Sequence, residues 1–383
     1  MKVVIAIDSF KGSLSTFESG RAVAEAVKTV YADATSVVCP LADGGEGTVA
    51  AIVAATGGRA CRVTVSGPLG DPVEAEYGVI PAQRTAIIEM ASAAGITLID
   101  ANERNPLLTT TYGVGEMILH AIREMGCRKF IIGIGGSATN DGGVGMLQAL
   151  GFSFLNANSE EIARGGGGLA SLAEIRCDAA VPELAECEFH IACDVTNPLC
   201  GEFGCSTVYG PQKGATPQMV SDMDGWLSRY AELTAHVLSK DLANVSGVGA
   251  AGGLGFAFLA YLGGNLESGI ELVMRVTDLE KSIKDADIVV TGEGRLDGQS
   301  CMGKAPIGVA KLAKKHGKPV IAFAGCVTED ARACNLHGID AFFPILRAPC
   351  TLEAAMNVDN AYRNLKHTAE QVFRLMYVCK GES

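Results

Sequence analysis

The sequence lacks the segments that would place it in a membrane. No run of about 18 apolar residues occurs in the 383-residue chain, and the longest candidate, residues 254–262, is too short to span a bilayer. Residues 1–8 do not combine a cationic start with a cleavable apolar run, which argues against a signal peptide. We therefore expect no membrane partner.

Positive charge is also scarce. Lysine and arginine number 31 against 43 acidic residues, so the formal net charge is −12. This balance argues against nucleic acid as a partner, because its phosphates require a basic surface. Hydrophobic residues make up 48% of the chain and charged residues 19%, which is typical of a globular protein. A small-molecule substrate is the expected partner.

Motifs for zinc, disulfides and several common catalytic mechanisms are missing. The thirteen cysteines stand singly without any C-x-x-C, and none of the six histidines belongs to a metal-spaced pair. We interpret the cysteines as reduced thiols of a cytoplasmic protein. There is no G-x-S-x-G elbow, and residues 303–306 lack the spacing of a P-loop.

The order of predicted elements indicates an α/β fold. An apolar strand over residues 2–7 precedes a helix that a capping box at Ser15 and Glu18 opens, and a strand at 37–39 follows. The carboxyl-terminal part repeats the pattern with a strand at 287–291 and a helix at 304–316. Alternation of this kind predicts a doubly wound parallel sheet with right-handed crossovers.

The middle of the chain has a different pattern. Residues 61–80 are predicted to form two antiparallel strands, and strands at 129–134 and 188–193 follow. We interpret this part as a second α/β domain inserted into the first. The first domain then comprises residues 1–60 and 285–383, and the inserted domain comprises 61–284. A tandem arrangement of two domains remains an alternative.

Two glycine-rich segments, residues 133–143 and 291–300, each follow a buried strand. Glycines at such a position bring backbone N–H groups close to an anion, which suggests phosphate chemistry. Residues 135–140 are predicted to form a phosphate nest in which Ser137, Thr139 and Asn140 add donors. The alternative is a dinucleotide fingerprint built on Gly133-x-Gly135-x-x-Ala138. The following Asp141 fits a helix cap.

Three other segments place charged side chains after strands. Asp8, Ser9 and Lys11 follow the first strand, and Asp43 follows the second as either a helix N-cap or a magnesium ligand. Asp194 follows the strand at 188–193, where it suits a base, a metal ligand or an Asx turn.

The second glycine-rich segment carries its own charged groups. Glu293 and Arg295 lie among its glycines, and Arg295 is suited to grip a carboxylate with two hydrogen bonds.

Taken together, these motifs resemble the type-1 glycerate kinases of bacteria. The resemblance runs in order from residue 2 to about 375 and rests on Asp8–Ser13, residues 40–48, 135–143, 194–199, 249–255 and 291–297. It implies phosphorylation of D-glycerate by ATP with magnesium, usually to 2-phosphoglycerate, in the cytosol. It also implies a flavodoxin-like domain with a second α/β domain inserted.

With this resemblance, the candidate residues receive expected roles. The sets are catalytic Asp194, Lys11 and Arg295; nucleotide-binding Gly135, Gly136, Ser137, Ala138, Thr139 and Asn140; substrate-binding Asp8, Ser9, Lys11 and Arg295; and metal-binding Asp43, Asp194 and Glu293. Two other functions remain open on the residues alone: a nicotinamide-dependent oxidoreductase, and a non-catalytic sensor of nucleotides or sugar phosphates.

Overall fold

The structure is a computed structural model that describes residues 1–379 and 381, with only the backbone at Met302. The strands, in chain order, are β1 Lys2–Ile7, β2 Thr35–Val38, β3 Arg59–Ser66, β4 Pro72–Ile80, β5 Thr85–Glu89, β6 Lys129–Gly133, β7 Ser153–Leu155, β8 Glu174–Arg176, β9 Glu188–Ala192, β10 Asn265–Glu267, β11 Ile288–Leu296, β12 Val320–Val327 and β13 Ala341–Pro344.

The helices alternate with the strands along much of the chain. They are α1 Thr16–Val30, α2 Thr48–Thr56, α3 Ala91–Ala94, α4 Tyr112–Arg123, α5 Val144–Ala149, α6 Cys205–Tyr209, α7 Pro217–Leu238, α8 Ala250–Leu262, α9 Gly269–Val276, α10 Leu279–Lys284, α11 Ala305–Lys315, α12 Ala333–Leu336, α13 Leu352–Met356 and α14 Val358–Cys379. Within the described residues, no helix is both long enough and apolar enough to cross a membrane.

The chain divides into two compact units. The first, here the discontinuous unit, comprises Met1–Asp43, Ala54–Thr56 and Ile270–Ser383; the second, the central unit, comprises Gly44–Val53 and Gly57–Gly269. The sequence-based boundary at 284/285 lies 15 residues beyond 269/270, and the one at 60/61 lies 17 residues beyond 43/44 and 4 beyond 56/57. The physical reason at the second boundary is that α9 and α10 pack into the core of the discontinuous unit.

The discontinuous unit is a five-stranded parallel sheet in the order β2-β1-β11-β12-β13. Numbered within the unit, this order is 2-1-3-4-5, the flavodoxin-like arrangement. Side chains of β1 alternate between two cores. Val3, Ile5 and Ile7 pack with α1 and α14, whereas Val4 and Ala6 pack with α9, α10 and α11. Helices therefore cover both faces, as a doubly wound sheet requires.

The central unit contains a six-stranded mixed sheet in the order β10-β9-β6-β5-β4-β3. The pairs β3–β4 and β4–β5 are antiparallel, as predicted for residues 61–80, and the others are parallel. One hydrophobic core covers this sheet and includes Phe130, Phe189, Tyr230, Phe256 and Phe258.

Three predicted elements differ in the structure. The segment expected to be a glycine loop after Thr291 continues as strand β11 to Leu296, because it pairs with β12 as far as Val327. The glycine-rich helix α8 has left-handed backbone at residues 251–253. The single helix expected at 351–378 is two helices that meet at Asn357.

Candidate functional site

Four charged side chains of the discontinuous unit gather at the switch point of its sheet, and we call them the switch-point cluster: Asp8, Lys11, Asp43 and Glu293. Lys11 Nζ donates to Asp43 Oδ2 at 3.0 Å, and Asp8 and Glu293 interact electrostatically with Lys11. In an open parallel sheet the strand order reverses here, and ligands bind beyond the strand ends.

Asp8 has an unusual titration behaviour. Burial and, to a smaller extent, the nearby Asp43 carboxylate raise its pKa from 3.8 to about 7, against the opposing effects of the Ser9 N–H and of Lys11. The backbone holds the side chain in place, since Ser9 N–H donates to Asp8 Oδ1 at 2.7 Å. A carboxyl group that titrates near neutrality is suited to proton transfer.

Local sequence signals hold the loop that carries Asp8 and Lys11. Gly12 adopts a left-handed φ of 78°, and the predicted capping box of Ser15 and Glu18 is present at the start of α1. Thr16 Oγ1 donates to the carbonyl of Ile7 at the end of β1. These bonds fix the geometry of the loop and tie the start of α1 to the end of β1.

Strand β11 supplies Glu293, whose pKa is raised by burial. Ser300 Oγ donates to Glu293 Oε1 at 2.5 Å. Arg295 has a partner of its own, since its Nε lies 3.3 Å from Asp297 Oδ2 while its side chain is 66% exposed. A guanidinium in this position has a carboxylate partner already and is solvent-accessible.

The segment after Asp43 does not use that aspartate as a helix cap. Helix α2 begins at Thr48, and its N-cap is Gly47 with φ of 92°. Within the central unit, a Cβ on Gly44 would lie 2.4 Å from Ala192 Cβ, and a Cβ on Gly133 would lie 2.1 Å from the Gly44 carbonyl oxygen. The two glycines therefore permit the backbone at Gly44 to lie against the ends of β6 and β9.

The loop of residues 135–140 follows β6 and turns inward. Gly135 and Gly136 are exposed, whereas the four residues that follow are buried. Lys213 Nζ donates to Ser137 Oγ at 2.8 Å and to the carbonyl oxygen of Thr139 at 2.6 Å. Thr139 Oγ1 and Asn140 Oδ1 are buried without a hydrogen-bond partner within the part of the chain that the structure describes.

Close packing accounts for the glycines that flank this loop. A Cβ on Gly252, which has φ of 67°, would lie 2.1 Å from the carbonyl oxygen of Thr139. Asp141 is fully buried and accepts hydrogen bonds from the N–H groups of Thr111, Gly143 and Gly145. Asp141 is not the N-cap of α5, which is Gly143, but it accepts a hydrogen bond from the Gly145 N–H in the first turn of that helix. Residues 249–255 pack against the loop through Gly252.

The dinucleotide interpretation of this loop needs a helix that starts at the glycine turn, and α5 starts further along the chain. A nucleotide fingerprint requires a helix to open directly at the glycine turn, so that its N-terminus meets the pyrophosphate. Helix α5 begins only at Val144, after a left-handed Gly143. This geometry disfavours the oxidoreductase alternative.

Asp194 lies in the central unit just after β9. Its Oδ1 accepts a hydrogen bond from the N–H of Gly269, the first residue of α9, at 3.0 Å. This bond supports a structural contribution by the carboxylate in addition to any role in catalysis. No group of three or more His, Cys, Asp or Glu within the described residues could hold a metal ion by itself.

Sequence reasoning missed one functional candidate, Lys213. It lies in a short 3-10 turn, Pro211–Lys213, far along the chain from the loop that it contacts, and it is only 2% exposed. Burial lowers its pKa to about 8. The sole local signal was a lysine between Pro211 and Gly214, which does not reveal a buried ammonium.

Known proteins match this chain along nearly its whole length. A model of the glycerate kinase family matches residues 3–377. The chain belongs to the glycerate kinase family. Glycerate 2-kinase of Escherichia coli (strain K12) is 49% identical over 373 residues, which cover 96% of this chain and 98% of that protein. Glycerate kinase of Bacillus subtilis (strain 168) is 46% identical, with 97% of each covered.

A solved structure extends this match to the fold. A crystal structure described as glycerate kinase 2 from Salmonella typhimurium LT2 has a TM-score of 0.91 and 48% sequence identity, and covers 100% of this chain and 99% of that one. The resemblance noted from the motifs and the predicted α/β fold are thereby confirmed. As a member of this family, the chain is a kinase.

Proposed function

We propose that the chain is an ATP-dependent glycerate 2-kinase that converts D-glycerate to 2-phosphoglycerate. The observation that carries this proposal is the 49% identity to the Escherichia coli glycerate 2-kinase along 98% of that protein. Free thiols at all thirteen cysteines suit a reducing cytoplasm, where we place the enzyme.

The 135–140 loop is our candidate for the nucleotide phosphates. Its exposed Gly135 and Gly136 offer close backbone approach, and the Ser137 hydroxyl adds a donor at the boundary between exposed and buried residues. Phosphoryl transfer depends mainly on positioning and on charge stabilisation, so a preorganised set of donors is the contribution that this loop can make.

The switch-point cluster is our candidate for the substrate and for proton transfer. Lys11 and Ser9 are suited to the glycerate carboxylate, and Arg295 remains a candidate for the same anion or the transferred phosphoryl group. Asp194 and Asp8 are the two candidates for the base. Asp8 has the pKa near neutrality that a base needs, whereas Asp194 engages a backbone N–H.

Magnesium is the metal that we propose, and the donors suit it in kind. Asp43 and Glu293 provide carboxylate oxygens at the switch point of the discontinuous unit, and Asp194 of the central unit is a separate candidate ligand. Magnesium commonly takes one or two carboxylates together with water and substrate phosphates, so it does not need a complete protein cage. Magnesium bound at the switch point would supply positive charge to the phosphate oxygens.

The test is a direct reaction. The protein is incubated with ATP, magnesium and D-glycerate, and phosphorus NMR locates the phosphoryl group on the product. We expect 2-phosphoglycerate in amounts equal to the ADP formed, and none when D-glycerate is omitted. Formation of 3-phosphoglycerate would refute the assigned position, and absence of any phosphorylated glycerate would refute the function.

A further inference from the structure

We propose that Lys213 and Ser137 form an oxyanion-binding pair for a nucleotide phosphoryl group, in which the buried ammonium orients and polarises the serine hydroxyl. This inference rests on the proposed kinase function and deepens it by naming the charge that acts at the 135–140 loop. Sequence motifs assign no role to Lys213.

The first observation is a buried cation without a counterion. Lys213 forms no ion pair within the described residues, although it is only 2% exposed. Its Nζ donates to two neutral oxygens, Ser137 Oγ at 2.8 Å and the carbonyl of Thr139 at 2.6 Å. Because a buried charge is costly unless it is paired, an anionic ligand is the natural partner for this ammonium.

The second observation concerns the direction of the serine proton. An ammonium group can only donate hydrogen bonds, so Ser137 Oγ accepts from Lys213 and its own O–H proton remains available. No acceptor for this proton contacts Ser137 Oγ among the residues with described side chains. Donation from a cation polarises the hydroxyl and strengthens the bond that it can donate onward.

Two orphaned polar atoms lie in the same loop. Thr139 Oγ1 and Asn140 Oδ1 are buried without partners in the described part of the chain, and both residues are fully buried. Asn140 is held by the bond from its Nδ2 to Ser206 Oγ at 2.8 Å. Unpaired buried polar atoms beside an unpaired ammonium indicate a site that a ligand or its water completes.

Two titratable groups act on the Lys213 ammonium, Cys205 of α6 and Asp141 just before α5, and both favour its charged form. The Asp141 carboxyl is itself held by Thr111, Gly143 and Gly145 and does not touch Lys213 Nζ. Neither group therefore neutralises the ammonium by direct contact, and the positive charge remains available to the loop.

The test compares ligand binding by four proteins: wild type, Lys213→Met, Ser137→Ala and the double variant. Calorimetry measures Kd for ATP and, separately, for D-glycerate. We expect Lys213→Met to weaken ATP binding by about 10- to 100-fold, the range for a charge-assisted hydrogen bond, and to leave D-glycerate within about twofold. Because the two residues act as a pair, the double variant should be little weaker than Lys213→Met alone. Lys240→Met, at an exposed lysine of the same unit, is the matched control.

Thermal unfolding without ligand separates this role from a structural one. Methionine removes a desolvated charge at similar length, so Tm should be kept or raised, whereas a purely structural tie predicts a lower Tm with unchanged ATP affinity. A second test uses only the wild-type protein and so does not depend on the folding of any variant. Its affinity for ATP should decline as pH rises above about 8, because Lys213 loses its proton there.

Three outcomes would overturn the proposal: unchanged ATP affinity in folded Lys213→Met, a loss confined to D-glycerate, or no decline of wild-type ATP affinity at high pH. If wild type binds ATP through Lys213 but does not phosphorylate D-glycerate, the proposed function fails and the binding pair stands.

Discussion

Replacing Asp8 by asparagine should stabilise the protein at alkaline pH. Asp8 is 8% exposed, and the pKa of its carboxyl lies at about 7 in place of 3.8. The folded state therefore binds a proton that the unfolded chain has lost, and the wild-type free energy of unfolding falls as pH rises from about 4 to about 7. A shift of about three pKa units corresponds to about 4 kcal/mol.

Asparagine keeps the side-chain oxygen that accepts from the Ser9 N–H and carries no charge. The variant should thus match wild type near pH 4 and exceed its stability by up to about 4 kcal/mol above pH 7. The same change should lower glycerate turnover, because stability and activity oppose each other at a site that buries a charge.

Urea unfolding followed by far-UV circular dichroism at pH 4.5, 6 and 8.5 measures the effect. Asp33→Asn, at an exposed aspartate of the same unit, is the control and should change the unfolding free energy little at any pH. If Asp8→Asn retains the wild-type slope against pH, or is destabilised equally at all three values, burial of the charged carboxylate is not the source of the cost.

Three further predictions concern the metal, the second candidate base and the glycine support. EDTA should abolish turnover and added magnesium or manganese should restore it; full activity in metal-free buffer would contradict the proposed metal. Asp194→Asn should lower kcat at least ~100-fold with the fold retained, whereas near-normal kcat would assign this carboxylate a structural role, to which its bond from the Gly269 N–H contributes. Gly252→Ala should lower the free energy of unfolding, measured in urea, by about 2 kcal/mol or more, because Gly252 has a positive φ and lies close to Thr139. The control is Gly225→Ala, in α7 with open space around it, which should not destabilise the protein.

Elements with complete local signals could be predicted from the sequence. Strand β1 is a continuous apolar run, and α1 opens with a capping box, so both were placed within a residue. The parallel direction of the strands in the discontinuous unit follows from the alternation of strands and helices. The position of Asp8 and Lys11 beyond the first strand followed from the same pattern.

Where neighbouring strands determine the structure, the local signal was misleading. Residues 292–295 were expected to form a loop because of their glycines, yet they pair with β12. A Cβ on Gly292 would lie 2.1 Å from the carbonyl oxygen of Phe323, so glycine here serves close approach within the sheet. Helix α7 receives no bounds from the sequence, although Thr216 caps its start.

Charged groups in the site were the least predictable part. The proton affinity of Asp8 depends on burial and on Asp43, which is 35 positions away in the chain, and Lys213 meets Ser137 across 76 positions. Proximity of this kind arises only on folding, and no spacing rule in the sequence encodes it.

The pairing of β1 with β11 has a consequence for how the chain is made. Val3 pairs with Ile288, so one edge of the apolar first strand finds its partner only after the central unit has been synthesised. At about 5–20 residues per second, that interval is roughly 15–60 s. During it, the edge presents unsatisfied N–H and C=O groups beside a run of apolar side chains, the kind of segment that aggregates. A ribosome-bound chaperone that shields residues 2–7 would be most useful to this protein early in translation.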